Sequence, residues 1–360
     1  MQFGLSAEQR ALQSSLTDYL RERSSLARVR RFAQADEGRA ADLVAGLAEL
    51  GLPALLISEP QGGIGLTPLD ACLVAEVLGY HVTPVAFSAS AVMVPTALQL
   101  GGSPAQQAHW LPQIAAGRLT VGAAVSERTG ARAGAGVTAN NGTLSGRALH
   151  VIDFEADAYL VADRTGQLHL VHADAPGLTR IRLETVDRTR PVGELVFDKV
   201  TAEPLPGGDA SVCAQVIDIG RTVLAADTLG AAQAMLDQAV AYAGQRQQFG
   251  RVIGSFQAVK HLCAEMAAEL EPARALVWYA GHALGAAAPD AHLAACHAKA
   301  HLSEVGQMVA KLATEVHGGM GFTDLLGLHY WFKRIAMNRQ LLGSPERVRH
   351  EAAQSQGLAA

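Results

Sequence analysis

Several features are missing from this sequence, and each absence removes a class of function. No block of Lys or Arg stands out and the net charge is −5, which argues against nucleic acid or an anionic membrane surface as the main partner. The densest basic cluster, Arg28, Arg30 and Arg31, reads as a solvated helix face. No apolar run reaches the roughly 18–20 residues that a membrane span needs. The N-terminus, "MQFGLSAEQRALQSSLTDYLRERSS", lacks a charged segment followed by an apolar core, so it reads as an amphipathic helix and not as a signal peptide. Cysteine is sparse: Cys72, Cys213, Cys263 and Cys296 are widely spaced, with neither CxxC nor metal-ligand spacing. They read as reduced thiols in a cytoplasmic protein, and no metal site is expected. Internal repeats and low-complexity linkers are also absent.

What is present is enough apolar sequence for more than one core: 49% of 360 residues, a length that suggests two or three domains. Residues 1–118 read as helical. Leu5, Leu12, Leu16 and Leu20 recur at helical spacing after Ser6 and Glu8, Thr67 and Ser103 are candidate N-caps, and the Gly62-Gly63-x-Gly65 loop breaks the chain between helices. From 119 to 208 the period changes to two, in short segments separated by Gly, Asp and Asn turns, and "DRTGQLHLV" reads as a hairpin. Residues 209–360 return to helical spacing, with four long amphipathic helices joined by short loops, the pattern of an antiparallel bundle. The expected class is therefore α+β: an N-terminal helical domain, a small middle β-domain and a C-terminal four-helix bundle.

Two glycine-marked joints at helix ends could hold phosphate, since free backbone N–H groups and the helix dipole favour anions. One runs from Arg246 to Gln257 ("RQQFGRVIGSFQ"), the other from Glu315 to Asp324 ("EVHGGMGFTD"), where adjacent glycines allow close backbone approach. Read singly, Gly318-Gly319 is equally a plain helix C-cap, Gln257 a solvent-facing helix residue and Arg246 a surface charge.

Together with "LAELGLPALLISEPQGGIGLTPLDACLVAEVLG" and "GGSPAQQAHWLPQIAAGRLTVGAAVSE", these joints occur in the order and spacing of the acyl-CoA dehydrogenase family. The chain resembles that family over nearly its whole length, most specifically at Arg246-x-x-Phe249-Gly250…Gln257. The resemblance implies FAD at a subunit interface and dehydrogenation of an acyl-CoA thioester to the trans-2-enoyl-CoA, with electrons passed to an acceptor. It further implies that Arg246 reaches a neighbouring subunit's FAD pyrophosphate, with Phe249 and Gln257 beside it. Glu315, Val316, His317, Gly318 and Gly319 match the stretch along the FAD diphosphate and adenosine. Val125 and Ser126 match the pair beside the flavin pyrimidine, and Val151 and Ile152 the strand behind the isoalloxazine. Ser344 and Glu346 match the stretch closing over the subunit's own FAD. Asp218 and Arg221 match positions near the thioester or the CoA adenosine.

The resemblance fails at the proton acceptor. The family places a Glu at one of two positions, which here hold Leu342 and Gly220. Asp218 is close in sequence, but two residues earlier on the same helix turns it about 200° away. Arg132 replaces a Ser that commonly contacts flavin or thioester, and His150 or a neighbour replaces a Trp that backs the flavin. The losses fall on the chain's own active site, while the segments that reach a neighbour are kept. This resembles the base-lacking subunit of heterotetrameric (α2β2) acyl-CoA dehydrogenases that act on bulky side chains, including steroid side chains. A flavin monooxygenase on the same fold, which needs no such base, and a structural partner that never contacts flavin are the alternatives.

Overall fold

The computed structural model describes residues 4–35, 38–130 and 134–359. Six helices come first: α1 (Ala7–Arg23), α2 (Leu26–Ala35), α3 (Ala41–Glu49), α4 (Pro68–Tyr80), α5 (Val94–Gly101) and α6 (Pro104–Ala115). Their starts follow the capping chemistry. Ser6, Thr67 and Ser103 each close a capping box, with Gln9, Asp70 and Gln106 answering three residues on. Ahead of α5, Ser88–Met93 winds as a π-helix, and the buried Asp153 carboxylate accepts from the N–H groups of Ala89 and Ser90 at 2.8 and 3.1 Å. The Arg28–Arg31 cluster is not simply solvated: Arg28 pairs with Asp42, and Arg30 bonds to backbone at Asp324 and Leu325.

The middle segment forms two four-stranded sheets. β1 (Val121–Ala124), β4 (Ala158–Ala162), β5 (Leu168–His172) and β8 (Glu203–Pro204) make one, in the order β1-β4-β5-β8. β2 (Gly136–Asn140), β3 (Thr143–Val151), β6 (Leu178–Arg182) and β7 (Gly193–Thr201) make the other, in the order β2-β3-β7-β6. β1 and β4 are parallel, and β4 returns through a hairpin to β5 with Leu160 opposite Leu170. Period two explains why β4 is buried on both faces: Ala158, Leu160 and Ala162 enter the main helical core, whereas Tyr159 and Val161 enter a smaller core between the sheets.

The C-terminal part holds α7 (Ala210–Gln245), a short hairpin of β9 (Gln247–Gln248) and β10 (Arg251–Val252), then α8 (Gln257–Gly285), α9 (Ala291–His317), α10 (His329–Gln340) and α11 (Pro345–Ser355). Two expectations change here. The last bundle helix is broken into α10 and α11, because Leu342 and Gly343 take positive φ (58° and 106°) before Pro345 restarts the helix. α7 is not amphipathic in its middle but buried on all sides between Val216 and Ala232. Its extra partner is α4. A Cβ on Gly230 would lie 1.8 Å from the Glu76 carbonyl oxygen, and one on Gly79 would lie 2.0 Å from that of Asp227. Reciprocal glycines thus let the two backbones touch, and the N-terminal helices share one core with the bundle. Among the described residues no helix is long and apolar enough to cross a membrane, and the four cysteines are free thiols.

Candidate active site

The break between α10 and α11 faces the first β-sheet across a cleft of about 560 Å³, within the roughly 300–1,000 Å³ typical of small-molecule sites. Val125, Ser126, His150, Ile152, Leu342 and Ser344 line it, so residues dispersed over more than half the chain meet there. Each is fixed locally. Ser126 accepts from the Leu149 N–H at 3.1 Å, Ile152 exchanges backbone bonds with Ala123, and Ser344 caps α11. Val151 turns the other way, into the inter-sheet core. Glu346 is exposed, pairs with Arg339 at 2.9 Å and does not line the cleft. Arg132 lies outside the described residues.

The two positions where the resemblance expects a carboxylate, Gly220 and Leu342, converge in space. A Cβ on Gly220 would meet Leu342 Cδ1 at 2.7 Å and Met93 Sδ at 2.8 Å. The turn that presents residue 342 is held from two sides. Arg221 Nε donates to the Leu342 carbonyl at 2.9 Å, and Lys299 Nζ donates to the Asn338 and Arg339 carbonyls at 2.8 and 3.0 Å. Positive φ at a leucine is unfavourable and persists only where its surroundings over-determine it. Glu184 is the one carboxylate on the cleft wall among the described residues; it is exposed and sits in the segment between β6 and β7. That wall is pinned to the bundle by buried polar contacts that sequence reading missed. Arg334 bonds Asp227 at 3.0 Å and the Thr83 carbonyl at 3.0 Å, and lies 3.1 Å from Asp187.

Asp218 faces away from this cleft, as its helical offset from Gly220 requires. It sits in the third turn of α7, not at its start, and lines a second cleft of about 430 Å³ with Arg221 and His292. His292 Nδ1 lies 2.8 Å from Asp218 Oδ2. Burial pushes the Asp218 carboxyl up. Its hydrogen bond to His292, aided by Cys296, pushes the imidazole up to about 10. Arg221 is buried at 2% exposure against Glu351 (2.7 Å) and Asp218 (3.7 Å). His292 and Cys296 were not singled out from sequence; their spacing of four on α9 was visible, but their partner on α7 was not.

The other set of expected cofactor residues lies at the far end of α7, roughly 39 Å from Gly220 at about 1.5 Å per residue. There Arg246 ends α7 and is exposed. Phe249 and Gly250 form the hairpin turn with φ of 53° and 77°, the primed-turn signature. Phe249 is 92% exposed, and Gln257, exposed, opens α8. The second joint is alongside, because the Tyr242 ring stacks on His317 with centroids 4.7 Å apart. Val316 and His317 are buried, whereas Glu315, Gly318 and Gly319 are exposed, and a Cβ at either glycine would meet open space. One dinucleotide on a single chain does not span both ends.

Residues 6–118 match the N-terminal domain of acyl-CoA dehydrogenases and residues 210–356 match the C-terminal domain. The acyl-CoA dehydrogenase IpdE2 of Mycobacterium tuberculosis is 31% identical over 349 residues, covering 95% of each chain. Among solved structures, a variant of the Tcur3481-Tcur3483 steroid ACAD superposes with a TM-score of 0.88 at 29% identity, covering 98% of this chain and 99% of the other. The ChsE4-ChsE5 complex from Mycobacterium tuberculosis superposes with a TM-score of 0.92 at 24% identity over 100% of both chains, a likeness of fold. The chain belongs to the acyl-CoA dehydrogenase family, oxidoreductases acting on CH–CH bonds.

Proposed function

We propose that this chain is the base-lacking subunit of an FAD-dependent acyl-CoA dehydrogenase. It acts with a homologous subunit in an α2β2 assembly that converts an acyl-CoA thioester to the enoyl-CoA and passes electrons to an acceptor. The observation that carries this reading is the convergence of Gly220 and Leu342: both family base positions occupy one place, and an isobutyl group fills it. The α-proton of a thioester is too weakly acidic to leave without an acceptor. The turn that would present the acceptor is retained; the carboxylate is not.

Each of the two regions along α7 carries residues suited to part of a flavin dinucleotide. FAD would supply the hydride acceptor when bound. Near the break, the apolar surfaces of Val125, Ile152 and Leu342 exclude water, while Ser126 offers polar atoms to a ring edge. At the far joint, Arg246 is an exposed guanidinium suited to bidentate phosphate contact, and the open glycines Gly318 and Gly319 leave backbone accessible. Phe249, held at positive φ and 92% exposed, offers an aromatic face to a neighbouring subunit. The relatives' names support the assembly: ChsE4-ChsE5 is a complex of two named chains and Tcur3481-Tcur3483 a steroid ACAD.

The test is coexpression with a homologous subunit that carries the Glu. The complex should contain FAD and reduce an artificial acceptor on adding acyl-CoA. Arg246→Ala should lower flavin content while leaving assembly intact. Undiminished flavin in that variant rules out the cross-interface role, and oxygen consumption that depends on NADH without acyl-CoA turnover points to monooxygenase chemistry instead.

A further inference from the structure

Outside the dehydrogenation chemistry, α7 and α9 bring three different metal-binding side chains together. Asp218, His292 and Cys296 place one donor atom each within 4.8 Å of one another. His292 and Cys296 are four apart on α9, so both project toward α7 on one face, and Asp218 meets them from the third turn of α7. The imidazole lies between the other two, 2.8 Å from Asp218 Oδ2 through Nδ1 and 3.8 Å from Cys296 Sγ through Nε2. Asp218 and His292 line the cleft of about 430 Å³, which leaves an open side for a further ligand.

We propose that Asp218, His292 and Cys296 form a binding site for a divalent cation of the zinc class. The donor set is carboxylate, imidazole and thiolate, the mixture that borderline-soft zinc and cobalt accept and that hard cations such as magnesium do not. Three protein ligands with an open fourth position is a recognised zinc arrangement. Charge balances on binding. Binding displaces the thiol proton and uses neutral imidazole, so the carboxylate and the thiolate together offset the dication. Arg221, 3.8 Å from Sγ and 3.7 Å from Asp218 Oδ1, is the unfavourable neighbour, but Glu351 at 2.7 Å already counters its charge. The His292 side chain is 41% exposed and has room to turn one nitrogen onto the ion. A catalytic Cys–His–Asp relay would use the same residues, but Cys296 is 1% exposed and absent from the cleft wall, out of reach of a carbonyl substrate.

Cobalt titration of the tag-free full chain tests this. One equivalent should produce a thiolate-to-cobalt charge-transfer absorption. Cys296→Ser should abolish it, and His292→Gln should weaken cobalt binding by about tenfold or more. Absence of the band at stoichiometric cobalt overturns the proposal, as does a band that survives Cys296→Ser. Should that variant misfold, His292→Gln alters a half-exposed side chain and keeps the test open. Zinc should raise the melting temperature of the wild type and not of His292→Gln, and an equal rise in both overturns the site.

Discussion

At the scale of single residues, the proposed role turns on Leu342. Its place at an expected acceptor position was legible from the surrounding "LLGSPERVR". Its contact with Gly220 was not, since the two meet only once α7 and the α10–α11 break pack together. Leu342→Glu should restore an acceptor at this place. Burial there would raise the carboxyl above the reference of about 4.3, toward what proton abstraction from a thioester requires. In the flavin-loaded assembly, the variant should speed flavin reduction on this chain by about 10²-fold or more, the low end of general-base catalysis and about 2.7 kcal/mol of barrier. Anaerobic bleaching by a panel of acyl-CoAs reads this directly. No gain with FAD bound would mean that the chain's own pocket is closed. Lys299 governs the same turn by another route. Burial, reinforced by the charges of Arg221 and Arg339, pulls its pKa down to about 7. Between that value and the unfolded value near 10.4, the unfolded chain holds the extra proton, so this group makes stability rise with pH across that window and contributes no slope below it. Urea midpoints measured at several pH values should show a slope of up to about 1.4 kcal/mol per pH unit from this group, and Lys299→Met should remove it.

At the scale of elements, the helix starts at Ser6, Thr67 and Ser103 and the β4–β5 hairpin were readable, because capping side chains and turn residues act within a few positions of the chain. The two-faced burial of β4 and the all-round burial of α7 were not, since both depend on what arrives from elsewhere. The α4–α7 crossing shows why. Gly79 and Gly230 look like ordinary helix glycines in sequence, yet each sits against the other helix's backbone. Gly230→Ala should therefore destabilise the chain by about 1–3 kcal/mol through overpacking. Gly244→Ala, on the same helix but with open space around it, should stabilise it by about 0.5–1 kcal/mol through helix propensity. Chemical denaturation of the two variants side by side separates close packing from propensity; equal effects would remove the packing argument.

At the scale of the whole molecule, α7 separates the two proposed half-sites. One end carries the cleft beside Leu342, and the other carries Arg246, the exposed Phe249 and the open Gly318-Gly319 backbone. The resemblance assigned Arg246 to a neighbouring subunit's FAD and Ser344 to the chain's own, but held no information on their separation, which a rod of 36 residues fixes. The account therefore predicts a chain that helps hold flavin and does not by itself carry out dehydrogenation. The most direct measurement is single-turnover anaerobic bleaching of bound flavin by acyl-CoA, made on this chain purified alone and on its complex with a Glu-bearing homologous subunit. The account predicts no bleaching of whatever flavin the lone chain retains and rapid bleaching in the complex; rapid bleaching in the lone chain would contradict it.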